Sequence, residues 1–105
     1  MDTKSCLNII DQLPAAVEEL DLSFNPELGL LVYEKIASIL DDSLVLKNLK
    51  SLQFESNRMD NEMFEIICSG FNYNTKMRLL NVCNNNLTEQ AGFLMKNMLT
   101  QNNFI

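Results

Sequence analysis

The chain repeats one short pattern three times, and this repeat constrains its fold more than any other feature of the sequence. Residues 17–25, 49–57 and 77–85 each read apolar-x-x-apolar-x-apolar-x-x-Asn. Another apolar residue follows two positions after the asparagine, as Met59 or Leu87, and in the first copy as Leu28, displaced by one position around Pro26. The first and second copies start 32 residues apart, and the second and third start 28 apart. Three copies in register favour a repeated structural unit over a generic β-α pair.

Apolar residues at helical spacing follow each copy of the pattern. They recur at every fourth position in three rows: Val32, Ile36 and Leu40; Met63, Ile67 and Phe71; and Ala91, Met95 and Leu99. Such a row puts one stripe of a helix against a core. Helix starts are predicted at Asp60 or Asn61, and at Thr88 with the acidic Glu89. Each unit is therefore predicted to be a short strand, a tight turn at the asparagine and a returning helix.

These residues resemble the leucine-rich repeats of the ribonuclease-inhibitor type, whose units have the form LxxLxLxxNxLxxxGxxxLxxxL. The resemblance covers residues 17–104, and Asn25, Asn57 and Asn85 are its most specific part. It implies an α/β fold, a short leucine-rich-repeat solenoid that forms a horseshoe segment with a concave parallel sheet and convex helices. It also implies a ladder in which the three asparagine side chains turn inward and satisfy backbone groups of the adjacent loops.

The repeat divides the chain into a cap and an array. Residues 1–16 are predicted as an N-terminal helical cap or partial repeat that ends at Pro14, with apolar residues Leu7, Ile9, Ile10 and Leu13. The remaining residues, 17–105, are predicted as three leucine-rich repeats: 17–48, 49–76 and 77–104. The array then ends where a fourth strand would begin, at Phe104 and Ile105. Either the helix of the third repeat and the asparagine-rich tail close it, or the chain is a fragment of a longer array.

Charge and composition exclude several function classes. With 8 basic and 14 acidic residues the formal net charge is −6, which disfavours nucleic acid and anionic membranes as partners because both repel an acidic surface. The chain has no histidine, which removes Ser-His-Asp and Cys-His nucleophiles and histidine metal sites. Its three glycines form no phosphate-binding loop. We therefore predict a protein that is not an enzyme, with no catalytic residue, no metal site and no cofactor.

Cysteine usage predicts the compartment. Cys6, Cys68 and Cys83 are odd in number and far apart, which favours free thiols in a reducing environment. The sequence shows no signal-peptide apolar segment and no run of 18 apolar residues. A cytoplasmic protein is the resulting prediction. The alternative is an exported effector that acts in a host cytoplasm, since residues 13–25 also resemble repeats of some bacterial effector proteins.

The predicted partner-binding surface consists of the side chains that alternate with the inward-facing residues of the three strands. Across the units they form three rows, with one aromatic residue just beyond: Glu19, Ser51 and Leu79; Asp21, Gln53 and Asn81; Ser23, Glu55 and Cys83; and Phe24. The resemblance implies a non-enzymatic protein-protein interaction module that uses this concave face. The acidic residues predict a protein partner with a basic patch, and Leu79 and Phe24 would be its apolar anchors.

Three alternatives stay open at the level of sequence. The first is a regulator of another enzyme, GTPase-activator-like or actin-regulator-like, in which Arg58 in the loop after Asn57 would contact the partner. The second is a structural piece of a larger repeat protein or assembly, and the third is a solvated face with no partner. The oligomeric state cannot be read from the sequence.

Overall fold

Short strands and longer helices alternate along the chain in the computed structural model, which describes residues 1–41, 48–71 and 77–101. The elements follow in the order α1 (Thr3–Asp11), β1 (Glu19–Asp21), α2 (Leu30–Asp41), β2 (Ser51–Gln53), α3 (Asn61–Gly70), β3 (Leu79–Asn81) and α4 (Glu89–Gln101). Each strand coincides with the middle of one copy of the repeated pattern. The three apolar rows at helical spacing lie in or at the end of α2, α3 and α4.

The strands form one parallel sheet in the order β1-β2-β3. Residues at the same position of the pattern are neighbours across the sheet, since Leu20 pairs with Leu52 and Leu52 with Leu80. The pairing continues past the three-residue strands, because the backbone N–H of Phe24 donates to the carbonyl oxygen of Glu55 at 2.7 Å. The turns that follow the strands are therefore stacked in the same register as the strands themselves.

The core lies between one face of the sheet and the helices. Alternation places Leu52 and Phe54 of the central segment at 0 % exposure, and the ring of Tyr33 on α2 packs on Phe54 with 5.5 Å between centroids. Burial of one such side chain stabilises the fold by roughly 1.5–3 kcal/mol. The hydroxyl of Tyr33 is buried in this core and forms no hydrogen bond with a described residue. Burial raises the pKa of Tyr33 to about 12.

The helical rows pack as their spacing predicts, although unevenly. In the first two rows Met63 is half-buried and the other residues are buried, namely Val32, Ile36, Leu40, Ile67 and Phe71. In the third row Ala91 is buried and Met95 is half-buried. Helices α2 and α3 approach closely at Gly70, where an added Cβ would lie 2.9 Å from the Cα and the carbonyl oxygen of Ala37. A small residue at each of these two positions permits this contact.

The N-terminal helix covers the β1 end of the stack. The side chain of Asp2 caps α1 by accepting the N–H of Ser5 at 2.8 Å. The hydroxyl of Thr3 accepts the N–H of Gly29 at 2.8 Å, and the Met1 amine donates to Oδ1 of Asn25 at 3.1 Å. Polar groups in the turn between β1 and α2 are thereby satisfied by the N-terminal residues.

The starts of α3 and α4 are tied to each other. Asp60 is the N-cap of α3, and its carboxylate accepts the N–H of Met63 at 2.9 Å. Asn61 Oδ1 accepts the N–H of Thr88 at 3.1 Å, and Asn61 Nδ2 donates to the Thr88 hydroxyl at 2.6 Å. Helix α4 begins directly afterwards, at Glu89. Both predicted helix starts agree with the structure to within one residue.

Three asparagines join the turns through their side chains, and we call Asn25, Asn57 and Asn85 the asparagine ladder. Oδ1 of Asn57 accepts the backbone N–H of Asn25 at 2.8 Å, and Oδ1 of Asn85 accepts the N–H of Asn57 at 2.9 Å. In the other direction, Nδ2 of Asn57 donates to the carbonyl oxygen of Leu22 and Nδ2 of Asn85 to that of Phe54, each at 2.8 Å. The side chains of Asn57 and Asn85 thus each satisfy backbone groups of the preceding segment.

The predicted solenoid is wrong. The chain is a small α/β fold of three parallel strands and four helices, with extents of 34 × 28 × 17 Å, and its sheet is not curled. A horseshoe acquires its concave surface from a small rotation added at each of many repeats, and three strands are too few to accumulate it. The fourth strand expected to begin at Phe104 and Ile105 lies outside the described residues.

Within the described ranges, no helix has the length and apolar character needed to cross a membrane.

Substitution of Asn57 by alanine tests the asparagine ladder. We expect the free energy of unfolding to fall by about 2–3 kcal/mol, because the change leaves the half-buried N–H of Asn25 without this acceptor and removes a donor from the Leu22 carbonyl. Urea denaturation measures the difference. Asn86→Ala is the matched control, since Asn86 is exposed and we describe only a backbone hydrogen bond for it. Equal stability of the two variants would refute a supporting role for the ladder.

Candidate functional site

The strand residues predicted to bind a partner lie together on the face of the sheet opposite the core, which we call the outer sheet face. Register places Glu19, Ser51 and Leu79 in one row and Asp21, Gln53 and Asn81 in the next. Ser23, Glu55 and Cys83 follow directly after the strands, and the N–H of Glu55 donates to the hydroxyl of Ser23 at 2.9 Å. The surface therefore consists of three short rows on an uncurled sheet.

Exposure differs along these rows. Glu19, Asp21 and Cys83 are exposed, whereas Gln53, Glu55 and Asn81 are half-buried. Ser51 is only 6 % exposed, and its hydroxyl has no hydrogen-bond partner among the described residues. Ser51 lies on the central strand with longer side chains, Glu19 and Leu79, beside it in the same row, so it is covered from both sides. Ser51 therefore offers little surface to a partner.

Local hydrogen bonds fix the polar side chains at the carboxyl ends of the strands. The carboxylate of Asp21 accepts the N–H of Ser23 at 2.9 Å, and hydrogen bonds from the side chain and the backbone of Ser23 lower the pKa of Asp21. Asn81 makes the same turn, since its Oδ1 accepts the N–H of Cys83 at 3.0 Å. Nδ2 of Asn81 also lies 3.4 Å from the Glu55 carboxylate. The acidic groups are therefore held in defined positions.

The acidic side chains of the outer sheet face are not neutralised by the residues described. Glu18, just before β1, pairs with Lys50 across the strand entry at 3.1 Å. Glu19, Asp21 and Glu55 form no ion pair with any residue in the described ranges. The face thus carries three negative charges. The carboxyl ends of the strands carry acidic residues, whereas the residues just before the strands include both signs of charge, as in the Glu18–Lys50 pair. Uncompensated like charges on one surface favour a partner of opposite charge.

The backbone is left-handed at the same position after each strand. Phe24, Ser56 and Asn84 have φ angles of 61°, 57° and 55°. Asparagine tolerates this conformation, but it is an outlier for a bulky residue such as phenylalanine. The side chain of Phe24 is nevertheless 67 % exposed, so burial in the core does not compensate for the backbone strain. The left-handed turn therefore places an exposed aromatic side chain beside the acidic surface.

The other exposed apolar residue of this face is Leu79, at the entry of β3, with 48 % of its surface accessible. Phe24 follows β1, so the two apolar side chains belong to opposite edge strands. The acidic residues Glu19, Asp21 and Glu55 belong to β1 and to the turn after β2. The face therefore combines apolar groups from both edges with a central and β1-side acidic region.

The thiols differ in their environment. Burial raises the pKa of Cys68 to about 12 and also raises the pKa of Cys6, which keeps both groups protonated at neutral pH. Cys83 is free and exposed on the outer sheet face. In the part of the chain that is described, no three cysteine, aspartate or glutamate side chains gather into a group that could hold a metal ion. The arrangement offers charge, amides and an aromatic ring for contact with a partner.

Two features of the site were not predicted from the sequence. Ser56 and Asn84 share the left-handed conformation of Phe24, and their equivalent positions in the repeated pattern were the available signal. Arg58 is also left-handed, with a φ angle of 56°, and is exposed in the loop after Asn57. The sequence singled out Arg58 for its charge, whereas no pattern in the chain indicated its backbone conformation.

The left-handed position predicts an unusual stability change at Phe24. Phe24→Gly should raise the free energy of unfolding by about 0.5–1 kcal/mol, because glycine adopts a positive φ without steric cost and the exposed ring contributes little burial. Thermal melts and urea titrations measure this change. Phe24→Ala retains the Cβ and should not be stabilised. A Phe24→Gly variant that is no more stable than Phe24→Ala would show that glycine relieves no backbone strain at this position.

No protein-family model and no curated protein matches the chain. The functional assignment therefore rests on the geometry and charge of the outer sheet face.

Proposed function

We propose that this chain is a non-enzymatic interaction module that binds a protein partner through its outer sheet face. The observation that carries the proposal is the combination of three carboxylates without an ion pair to a described residue, Glu19, Asp21 and Glu55, with the exposed apolar side chains of Phe24 and Leu79. Protein interfaces combine charged groups, which attract a partner of opposite charge, with exposed apolar side chains, which act as anchors.

The charge of the face selects the partner. A basic patch on another protein would be attracted to the carboxylates of Glu19, Asp21 and Glu55, mainly by faster association. Nucleic acids and anionic membranes carry the same sign of charge as this chain, whose formal net charge is −6. A basic protein surface is therefore the partner chemistry that the carboxylates favour.

The apolar groups set the part of the affinity that does not depend on salt. Phe24 is 67 % exposed and Leu79 is 48 % exposed, so each has apolar area that a partner can cover. Covering such a side chain contributes roughly 1–3 kcal/mol when it lies near the centre of an interface.

A relationship to the leucine-rich repeats of the ribonuclease-inhibitor type is part of the same proposal. Its support is the repeated pattern and the hydrogen bonds of Asn25, Asn57 and Asn85, which lie 32 and 28 residues apart. We also propose a reducing, cytoplasmic compartment, whether the cell's own or that of a host. The three free cysteines support this, because paired cysteines are the rule in small secreted domains.

Regulation of another enzyme is the second candidate function. The observation that favours it is Arg58, an exposed cation held in a left-handed turn next to the buried Asn57. Residues with a positive φ cluster at functional sites, and an arginine can stabilise a phosphate in another protein's active site. Turnover of a candidate GTPase, measured with the wild type and with Arg58→Ala, separates this function from simple binding.

A charge reversal tests the proposed binding face. The variant Glu19→Lys, Asp21→Lys, Glu55→Lys should lose the protein partners that wild type captures, because the basic patch of the partner would then meet lysines. The measurement is a pull-down followed by binding titrations of each captured protein at increasing salt. Raising salt from about 0.1 M to about 1 M shortens the screening length from about 10 Å to about 3 Å, so wild-type affinity should fall.

The matched control carries the same charge change on the helices, as Glu34→Lys, Glu62→Lys, Glu65→Lys. These three glutamates are exposed on α2 and α3, away from the outer sheet face. The control should keep every specific partner. Equal retention by both variants would exclude the outer sheet face as the binding site.

A further inference from the structure

The two edges of the stacked segments, at β1 and at β3, differ in what covers them. At the β1 end, α1 supplies Thr3 and the Met1 amine to polar groups of the first strand–turn–helix segment. Equivalent apolar positions of the first two segments are at most 8 % exposed: Leu20, Leu22 and Leu28, and Leu52, Phe54 and Met59. At the β3 end the same three positions, Leu80, Val82 and Leu87, are only half-buried. No described element covers this end as α1 covers the other.

Hydrogen-bonding groups are also left open at the β3 edge. In the first two segments the N–H groups of Leu22 and Phe54 donate to the next strand, to Gln53 at 2.9 Å and to Asn81 at 2.8 Å. Val82 occupies the same position in the third segment, and its N–H has no acceptor among the described residues. Because strand residues alternate, Leu80 and Val82 direct their backbone N–H and C=O groups away from β2 and toward this edge.

The side chains of the two edges differ in charge. β1 and the residue before it carry Glu18, Glu19 and Asp21, and charged residues on an edge strand discourage pairing with another strand. From residue 79 to residue 84 the β3 edge carries no charged residue, although Arg78 precedes β3 as Glu18 precedes β1. The β3 edge is therefore the one suited to pair with a second strand of the same composition.

We propose that β3 is a homodimer interface, in which the β3 strands of two copies pair antiparallel around a two-fold axis. Head-to-tail stacking of β3 on β1 is disfavoured, because α1 already occupies Asn25 Oδ1 and the N–H of Gly29 at the β1 end. A two-fold contact instead uses the same open edge on both copies and closes the assembly at two subunits. The sheet then becomes six-stranded, with α4 of each copy beside the axis.

The register of this pairing follows from the residues on either side of the open groups. The N–H of Arg78 donates to Lys50 at 2.7 Å, and Asn84 is left-handed, so Leu80 and Val82 are the extended residues available between them. A two-fold axis that pairs Leu80 of each copy with Val82 of the other places Asn81 opposite itself. Such a non-hydrogen-bonded pair has its Cα atoms about 4.5 Å apart.

The half-buried residues behind the strand give this contact its apolar part. Leu94 and Met95 on α4 are half-buried, like Leu80 and Val82 in front of them, and they are packed against the edge of the core. A second copy would bring the same four residues to the other side of the axis. The interface is separate from the charge of the outer sheet face, so either proposal can fail without the other.

Sedimentation and light scattering of the purified chain, in reducing buffer and from about 1 μM to about 1 mM, test the dimer over the range of weak to moderate affinities. We expect a monomer–dimer equilibrium. Asn81→Lys places two lysines against each other across the axis and should weaken the dimer by at least about tenfold. Asp21→Lys occupies the same row on β1 and should leave the dimer unchanged. A chain that stays monomeric throughout, or a dimer that tolerates Asn81→Lys, overturns the proposal.

A cross-link tests the register independently of stability. In a Cys83→Ser background, Asn81→Cys should form an intermolecular disulfide under mild oxidation, since the two residues face each other within bonding reach. Gln53→Cys in the same background is the matched control, because it lies in the same row on the central strand and should remain reduced. Equal cross-linking of the two variants, or none at Asn81→Cys, overturns the proposed register and with it the interface.

Discussion

The buried amide of Asn57 is the interaction on which the rest of the structure depends. The residue is 1 % exposed, its oxygen accepts the N–H of Asn25, and its nitrogen donates to the carbonyl of Leu22. A turn between a strand and a helix leaves backbone groups that the sheet cannot satisfy, and buried groups of this kind are costly. The side-chain amide of Asn57 satisfies such groups in the preceding turn, and it thereby fixes the position of one strand–turn–helix segment relative to the next. The outer sheet face inherits its rows from this common register.

Much of this arrangement could be predicted from the sequence because it follows from local periodicity. The pattern of apolar residues and asparagines located all three strands, and the helical rows and Asp60 located α2, α3 and α4. Alternation along the strands also assigned the correct side of the sheet to Glu19, Asp21 and Leu79. These features depend on contacts within one unit, or between equivalent positions of adjacent units. A sequence repeat identifies both kinds of contact directly.

Features that depend on the number and ends of the strands could not be predicted in this way. The repeated pattern carries no information about the curvature of the sheet. Its resemblance to a horseshoe repeat therefore predicted a curved sheet, whereas the three strands form a sheet that is not curled. Ser51 is buried because of what flanks it on two other strands, although its own segment gives it an outward position. The contact of the Met1 amine with Asn25 joins residues 24 apart that share no periodic relation.

The stacked turns also determine how the molecule opens. Surface turns are usually where backbone amides exchange with solvent fastest and where proteases cut first. Here the N–H groups of Asn25 and Asn57 are each held by a side chain from the following segment, rather than by a strand or by water. Releasing one of them requires that the next segment move as well. The turns are therefore coupled to the cooperative unit, and hydrogen exchange at these amides would report global unfolding rather than local fluctuation.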